Sequence, residues 1–314
     1  MMRLRIYPCM RQRQRGMTLV EMMVALAIGL AVVLGAGRLL VHANGAYASQ
    51  VEAAAVDDAG RYALELVGRA LRQAAIVDPD ALLSAAQPGD QAARLAGFDA
   101  GTVARTSPGI DDPLPDAVNG SDVLAVRFPG AGPAPDGDGS MVSCAGFTVA
   151  RGEEGWSIFH VARNAEGEPE LRCKYRGAAN WSADAVVAGV DSFQLLYGID
   201  TDEPRDGVPN RYVNADALRA LDAALGASGQ QDLNRRTWWK RVASVRVALL
   251  LHGARVTRSE PGAIDYPLFG AFHAEAAGDD DAGTLLRESA MTAELRRRER
   301  RLFTMTVALP AVTP

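Results

Sequence analysis

The chain has 314 residues, 48% of them hydrophobic and 23% charged, with a formal net charge of −5. That is enough apolar material to fill a core and too much for a disordered chain. The charge is unevenly spread: residues 1–16 carry five arginines and no acid, and the remainder has 28 Lys+Arg against 38 Asp+Glu, which leaves an acidic body with no nucleic-acid footprint. The one later basic cluster, LRRRERR (Leu295 to Arg301), is short and interrupted by Glu299, and reads as a solvated helix end or turn.

After the basic leader an apolar run begins. Met17 to Ala43 is long enough to span a bilayer, and Met22 to Gly37 is unbroken; Arg38 can snorkel to an interface. Arginines before the span and an acidic body after it predict a cytoplasmic N-terminus and a body across the membrane. Glu21 is the anomaly, because a carboxylate in hydrocarbon is costly and normally has a partner. A conventional signal peptide cut near AYA (Ala46 to Ala48) and a plain anchor both leave it unexplained.

The stretch RGMTLVEMMVALAIGLAV resembles the N-terminal signal of type IV prepilins and pseudopilins. The resemblance implies scission after Gly16 by a prepilin peptidase, N-methylation of Met17, and pairing of Glu21 with the terminal amine of a neighbouring subunit. Two charges costly in an apolar medium would then offset each other and set register. Methionine at the first mature position, where the family usually has phenylalanine, points to a minor subunit.

Beyond the span the helical pattern continues to DPD (Asp78 to Asp80), with Val51, Ala55, Tyr62, Leu66 and Leu71 at helical spacing as core contacts. Gly60 and Gly68 weaken the helix by about 1 kcal/mol each. One helix over Met17 to Val77 would be about 90 Å long. Ala81 to Gly120 is rich in proline and glycine and reads as loop. Strands are predicted over Asp122 to Phe128, Met141 to Ala150, Trp156 to Arg163, Glu170 to Tyr175, Val186 to Tyr197, Val242 to His252 and Leu302 to Leu309, with Phe303, Met305, Val307 and Leu309 on one face. A short helix is predicted over Asn214 to Gly226. Strands joined by turns argue for an antiparallel sheet on the long helix, an α+β class.

Of three cysteines, Cys9 lies in the leader, while Cys144 and Cys173 fall in two of the predicted strands and form the economical disulfide. Such a bridge would staple the sheet, contribute roughly 3–4 kcal/mol and require an oxidising compartment. The histidines (His42, His160, His252 and His273) accompany no nucleophile motif, P-loop or H-E-x-x-H, so enzymatic chemistry is unsupported and no cofactor is expected. In DTDEPRDG, Asp200, Asp202, Glu203 and Asp206 offer oxygens of the kind calcium takes. The loop lacks EF-hand spacing and contains Arg205, so a solvated turn is the preferred reading.

The pieces AGRYALELVGRALRQAA, VAGVDSFQLLYGIDTDEPRDGVPNRYVNA, VASVRVALLL and RRLFTMTVAL are similar, in that order, to the PilW family of type IV pilus minor pilins. The resemblance implies a leader (1–16), a transmembrane helix (17–43), its periplasmic continuation (44–78) and a periplasmic α+β head (79–314). It implies a low-abundance inner-membrane subunit that primes assembly, reaches the extracellular pilus and supports adhesion and twitching motility. The implied partners are other minor pilins, the major pilin, prepilin peptidase, the inner-membrane assembly machinery and a large tip adhesin. The nearest rival is a type II secretion minor pseudopilin; a membrane-anchored or secreted binding protein is the rival from another class.

Overall fold

The computed structural model describes residues 16–74, 90–277 and 281–309, and the chain divides into two compact units, Met1–Gln50 and Val51–Pro314. Helix α1 (Leu19–Ala74) contributes to both. In the first unit every helix residue from Leu19 to Tyr47 is exposed. The DPD stop lies outside the described residues.

The second unit holds two antiparallel sheets. The first has the order β1-β4-β5-β6-β7, formed by β1 (Leu95–Phe98), β4 (Val123–Pro129), β5 (Glu154–Arg163), β6 (Pro169–Arg176) and β7 (Trp181–Ala188). A minor pair, β2 (Thr102–Val103) and β3 (Pro113–Leu114), lies between β1 and β4 in the chain. The second sheet has the order β13-β10-β8-β9, formed by β8 (Val190–Ile199), β9 (Arg211–Val213), β10 (Val242–Val256) and β13 (Arg298–Ala308). Between β9 and β10 come α2 (Ala215–Ala224) and α3 (Gln230–Arg236). An insertion between β10 and β13 carries β11 (Asp265–Pro267), α4 (Ala271–Ala277), β12 (Leu285–Arg287) and α5 (Ala293–Arg296). A long helix with antiparallel sheets is the α+β arrangement predicted.

Strand alternation explains how the second sheet is covered on both faces. Val245, Val247, Leu249 and Leu251 join one core cluster with Val56, Ala63, Leu66, Val67, Ala70 and Leu71 of α1, and Phe303 and Met305 pack against it. On the opposite face Ala248 and Leu250 pack with Leu268 and Leu286 of the insertion. The stripe α1 buries is rotated from the one expected: Leu66 and Leu71 are inside, but Val51 and Tyr62 are 48% and 57% exposed.

The two glycines that looked like helix defects are contact points. A Cβ at Gly60 would lie 2.4 Å from the Phe303 ring, and one at Gly68 would sit 3.4 Å from the Met305 sulfur. The β13 face is as predicted, with Phe303 and Met305 half-buried and Val307 buried.

Two strand predictions and one loop prediction need correction. Met141 to Ala150 forms no strand, only the single bridge Val142 to Thr148, because its main chain closes turns such as Gly146 N to Ser143 O. Val186 to Tyr197 is two strands in different sheets, separated at Gly189, whose φ is +76° and whose missing Cβ makes room for the His252 carbonyl 2.5 Å away. The loop expected over 81–120 contains β1, which pairs with β4 in the register Leu95 to Val126.

Candidate functional site: the N-terminus and the head network

At the start of α1, Thr18 and Glu21 satisfy each other. The Thr18 main-chain N–H and hydroxyl donate to Glu21 Oε2 at 2.9 and 3.0 Å, and the Glu21 N–H donates to Thr18 Oγ1 at 3.2 Å. This is a capping box, which meets donors that the first helical turn leaves without intrahelical partners. It gives Glu21 a role within one chain that the sequence reading missed, although Thr-x-x-Glu before an apolar run is its signature. Gly16 and Met17 stand exposed ahead of the helix, with nothing within 4 Å of a Cβ built at Gly16. An apolar stretch of α1 long enough to cross a membrane has a mean hydropathy of 2.4. His42 lies exposed on the same helix.

In the head, Cys144 and Cys173 are bonded, with Cα atoms 5.9 Å apart. Cys173 is on β6, but Cys144 sits in a turn held by its N–H donating to Ser157 Oγ of β5 at 2.9 Å, so the bridge ties a loop to the sheet rather than strand to strand. Phe147 from that loop packs on Tyr175, ring centroids 5.0 Å apart.

The acidic loop does gather Asp200, Asp202 and Asp206, with carboxylate oxygens within 4.8 Å of one another. Asp200 accepts from the N–H groups of Asp202 (2.9 Å) and Gly207 (2.7 Å), and Asp206 from that of Val208 (2.8 Å). Glu203 turns away to Arg241. These bonds are those of a tight turn.

LRRRERR is not a solvated helix end. Only Leu295 and Arg296 lie in α5; Arg298 begins β13, and Arg300 is buried against Asp191 (2.7 Å) and Glu288 (3.4 Å). Glu288 also takes Arg258 at 2.7 Å and Tyr266 Oη at 3.1 Å. Arg298 joins Glu168 (2.8 Å), which with Asp191 (3.0 Å) brackets the buried His252. This network ties the insertion to β8 and β10. Sequence showed the arginines; the distant acids that receive them were not legible.

Two further acids anchor the first sheet, half-buried Asp99 to α2 and buried Asp122 to β8. Asp99 accepts the N–H groups of Ala215 and Asp216 (3.0 and 2.7 Å) at the start of α2, a favourable end for a carboxylate. Asp122 accepts those of Ala100 and Leu195 (3.2 and 2.8 Å). Burial nevertheless pushes Asp99 up to about 6 and raises Asp122 well above the carboxylate range. His160, buried and 2.9 Å from Thr102 Oγ1, is held down to about 4 by burial and by nearby Arg172 and Lys174.

A family model described as Type IV Pilus-assembly protein W matches residues 158–311, from within β5 to beyond β13. A second, the Prokaryotic N-terminal methylation motif, matches residues 11–37 and so covers Gly16, Met17, Thr18 and Glu21. No curated protein matches. Among solved structures, a type IV-like pilin from Thermus thermophilus is similar over 82% of this chain and 97% of that one, at 14% identity and a TM-score of 0.38. An N-terminal methylation motif thus precedes the helix, and the match that runs from β5 through the second sheet makes residues 158–311 similar to the PilW family of type IV pilus-assembly proteins.

Proposed function

We propose that this chain is a minor pilin, made as a prepilin, cut after Gly16 and N-methylated on Met17, that joins other minor pilins in the complex priming pilus assembly. The family match supports a pilin role in that assembly, structural rather than enzymatic. In the proposal the N-terminus is cytoplasmic before cutting, α1 crosses the inner membrane, the disulfide-bonded head is periplasmic, and the assembled subunit reaches the extracellular pilus. Twitching motility and adhesion follow through assembly, with the major pilin and a large tip adhesin among its contacts.

The observation that carries this reading is the arrangement at the N-terminus. An exposed Gly16–Met17 junction precedes a capped helix whose apolar surface is bare, inside a matched methylation motif. The Thr18–Glu21 box supports the pairing role as well. It holds the carboxylate beside the end of the helix that a newly freed Met17 amine would occupy, and a carboxylate has lone pairs for more donors than the two it accepts.

The test is the N-terminal sequence and intact mass of the protein from membranes of cells with and without prepilin peptidase. A chain beginning at methylated Met17 only when the peptidase is present is the expected result. A chain beginning near Ser49, or one uncut in both strains, would overturn the proposal.

A further inference from the structure

The second sheet has one unguarded edge. Sheet edges invite pairing, and proteins blunt them with short strands, charges, bulges or covering loops. Three of the four edges of the two main sheets are blunted: β9 has three residues, β1 has four, and β7 carries Asp184, receives Arg105 from the loop before β4, and pairs with β6 through a register shift. By contrast β13 has 11 residues and, among the described residues, pairs only with β10, and Leu302 to Ala308 includes no charge, glycine or proline.

The register identifies which main-chain groups are on offer. Val245, Val247 and Leu249 of β10 lie opposite Val307, Met305 and Phe303, and the Leu309 N–H donates to the Ala243 carbonyl at 2.8 Å. Antiparallel pairs alternate between bonded and non-bonded, so Phe303, Met305 and Val307 direct their N–H and C=O groups to β10. Leu302, Thr304, Thr306 and Ala308 direct theirs outward, and their side chains are also exposed. Among the described residues none hydrogen-bonds to that outer edge through its main chain.

A second copy is a poor occupant. Asp57 meets Arg301, Gly60 meets Phe303 and Gly68 meets Met305, so α1 runs in the same direction as β13. Two β13 edges joined about a two-fold axis would set the helices antiparallel, with Val51 at opposite ends. Subunits anchored in one membrane enter from the same side, a step that rests on the membrane-anchored reading above.

We infer that the outer edge of β13 takes an extended strand from another prepilin-type subunit of the same assembly, adding a strand to the sheet. The strand that fits is uncharged, with apolar side chains at alternate positions beside Phe303, Met305 and Val307. Small or hydroxyl-bearing residues face the other way, beside Thr304 and Thr306. Main-chain bonds supply the attachment, and this alternation supplies the selectivity.

The test is residue-resolved hydrogen–deuterium exchange on the full chain in detergent, alone and after co-purification with each other prepilin-type subunit of the same cell. Alone, the amides of Leu302, Thr304, Thr306 and Ala308 should exchange at least about tenfold faster than those of Phe303, Met305 and Val307. In one complex they should slow to match their neighbours. The double variant Thr304→Lys, Thr306→Lys, with an unchanged melting temperature when isolated, should weaken that co-purification at least about tenfold. The inference is overturned by outward amides already protected in the isolated chain, by complexes that leave them fast, or by no complex with any of these subunits. The N-terminus is read in the same preparations. A chain correctly cut after Gly16 with no slowed edge refutes the strand and leaves the minor-pilin reading standing; an uncut chain counts against that reading instead.

Discussion

Alanine at Gly60 and at Gly68 should have opposite effects on stability. In an exposed helix interior each substitution would gain about 1 kcal/mol from propensity and reduced unfolded-chain freedom. At Gly68 little opposes that gain: the new methyl would lie 3.3 Å from an Arg72 guanidinium nitrogen and 3.4 Å from the Met305 sulfur, and both side chains can give way. At Gly60 three ring carbons of Phe303 lie 2.4–2.6 Å from the added Cβ, about an ångström inside ordinary contact, and the ring packs against the core cluster to which α1 and β10 both contribute. Overpacking of that kind costs about 1–3 kcal/mol. Gly68→Ala should therefore stabilise by about 0.5–1 kcal/mol and Gly60→Ala should be neutral to about 2 kcal/mol destabilising. Urea unfolding of the full chain in detergent, followed by near-ultraviolet circular dichroism, measures both. Equal stabilisation by the two alanines would refute the packing of Phe303 over Gly60 and, with it, the alignment of α1 along β13.

Reducing the Cys144–Cys173 bond, or replacing both with serine, should cost roughly 3–4 kcal/mol of head stability for a loop of this length, read as a lower urea midpoint. Arg300→Met should cost about 3–5 kcal/mol, because it leaves buried Asp191 without its arginine and buried Glu288 with Arg258 as its one remaining arginine, and a loss no larger than that of an exposed arginine would show the network to be slack. Asp99 binds its proton more tightly folded than unfolded, so its contribution favours folding below its unfolded value near 3.9 and is lost as pH rises through about 6. Asp99→Asn should flatten that part of the melting-temperature profile; an unchanged profile would refute the shift. Glu21→Ala should leave cutting after Gly16 largely intact and impair assembly, and normal piliation in that variant would refute the pairing role. Calcium or a chelator should leave the melting temperature unchanged, since the turn around Asp200 is already closed by its own main chain; a rise with calcium would make that loop a cation site.

What the sequence disclosed was mostly what is encoded locally. The apolar run starting at Met17, the period-two faces of β10 and β13 and the short helix after Asn214 each arise from neighbouring residues, and each was read within a few positions. The errors came where distant residues decide. Tyr62 has the spacing of a core residue, but the face of α1 that β13 covers is set by where Phe303 and Met305 meet Gly60 and Gly68. Met141 to Ala150 has strand composition, yet its backbone closes turns and the internal bridge Val142 to Thr148, and it is tied to β6 through the Cys144–Cys173 disulfide. The arginines near the C-terminus look like surface charge until Asp191 and Glu288, far apart in sequence, are brought beside Arg300. At the N-terminus the reverse holds. Gly16, Met17 and Glu21 stand out because the methylation motif is a run of neighbouring residues, and the Thr18–Glu21 capping box is equally local, a Thr-x-x-Glu signature in the same stretch.

The pairing of α1 with β13 joins the beginning of the head to the end of the chain, and that has a consequence for assembly. Asp57 and Arg301 are held together across 244 residues. The residues α1 buries, Ala63, Val67, Ala70 and Leu71 among them, therefore stay partly uncovered until the last strand has been made and docked. Contacts of such separation form late, because loop closure must be offset before they contribute. A chain broken before β13 would expose the helix stripe and the β10 edge together, and a chain whose β13 is in place exposes one row of main-chain groups, at Leu302, Thr304, Thr306 and Ala308. Completing the head thus exchanges a broad apolar surface for a narrow edge with a definite register, which is the form of surface that can choose one partner among several similar subunits.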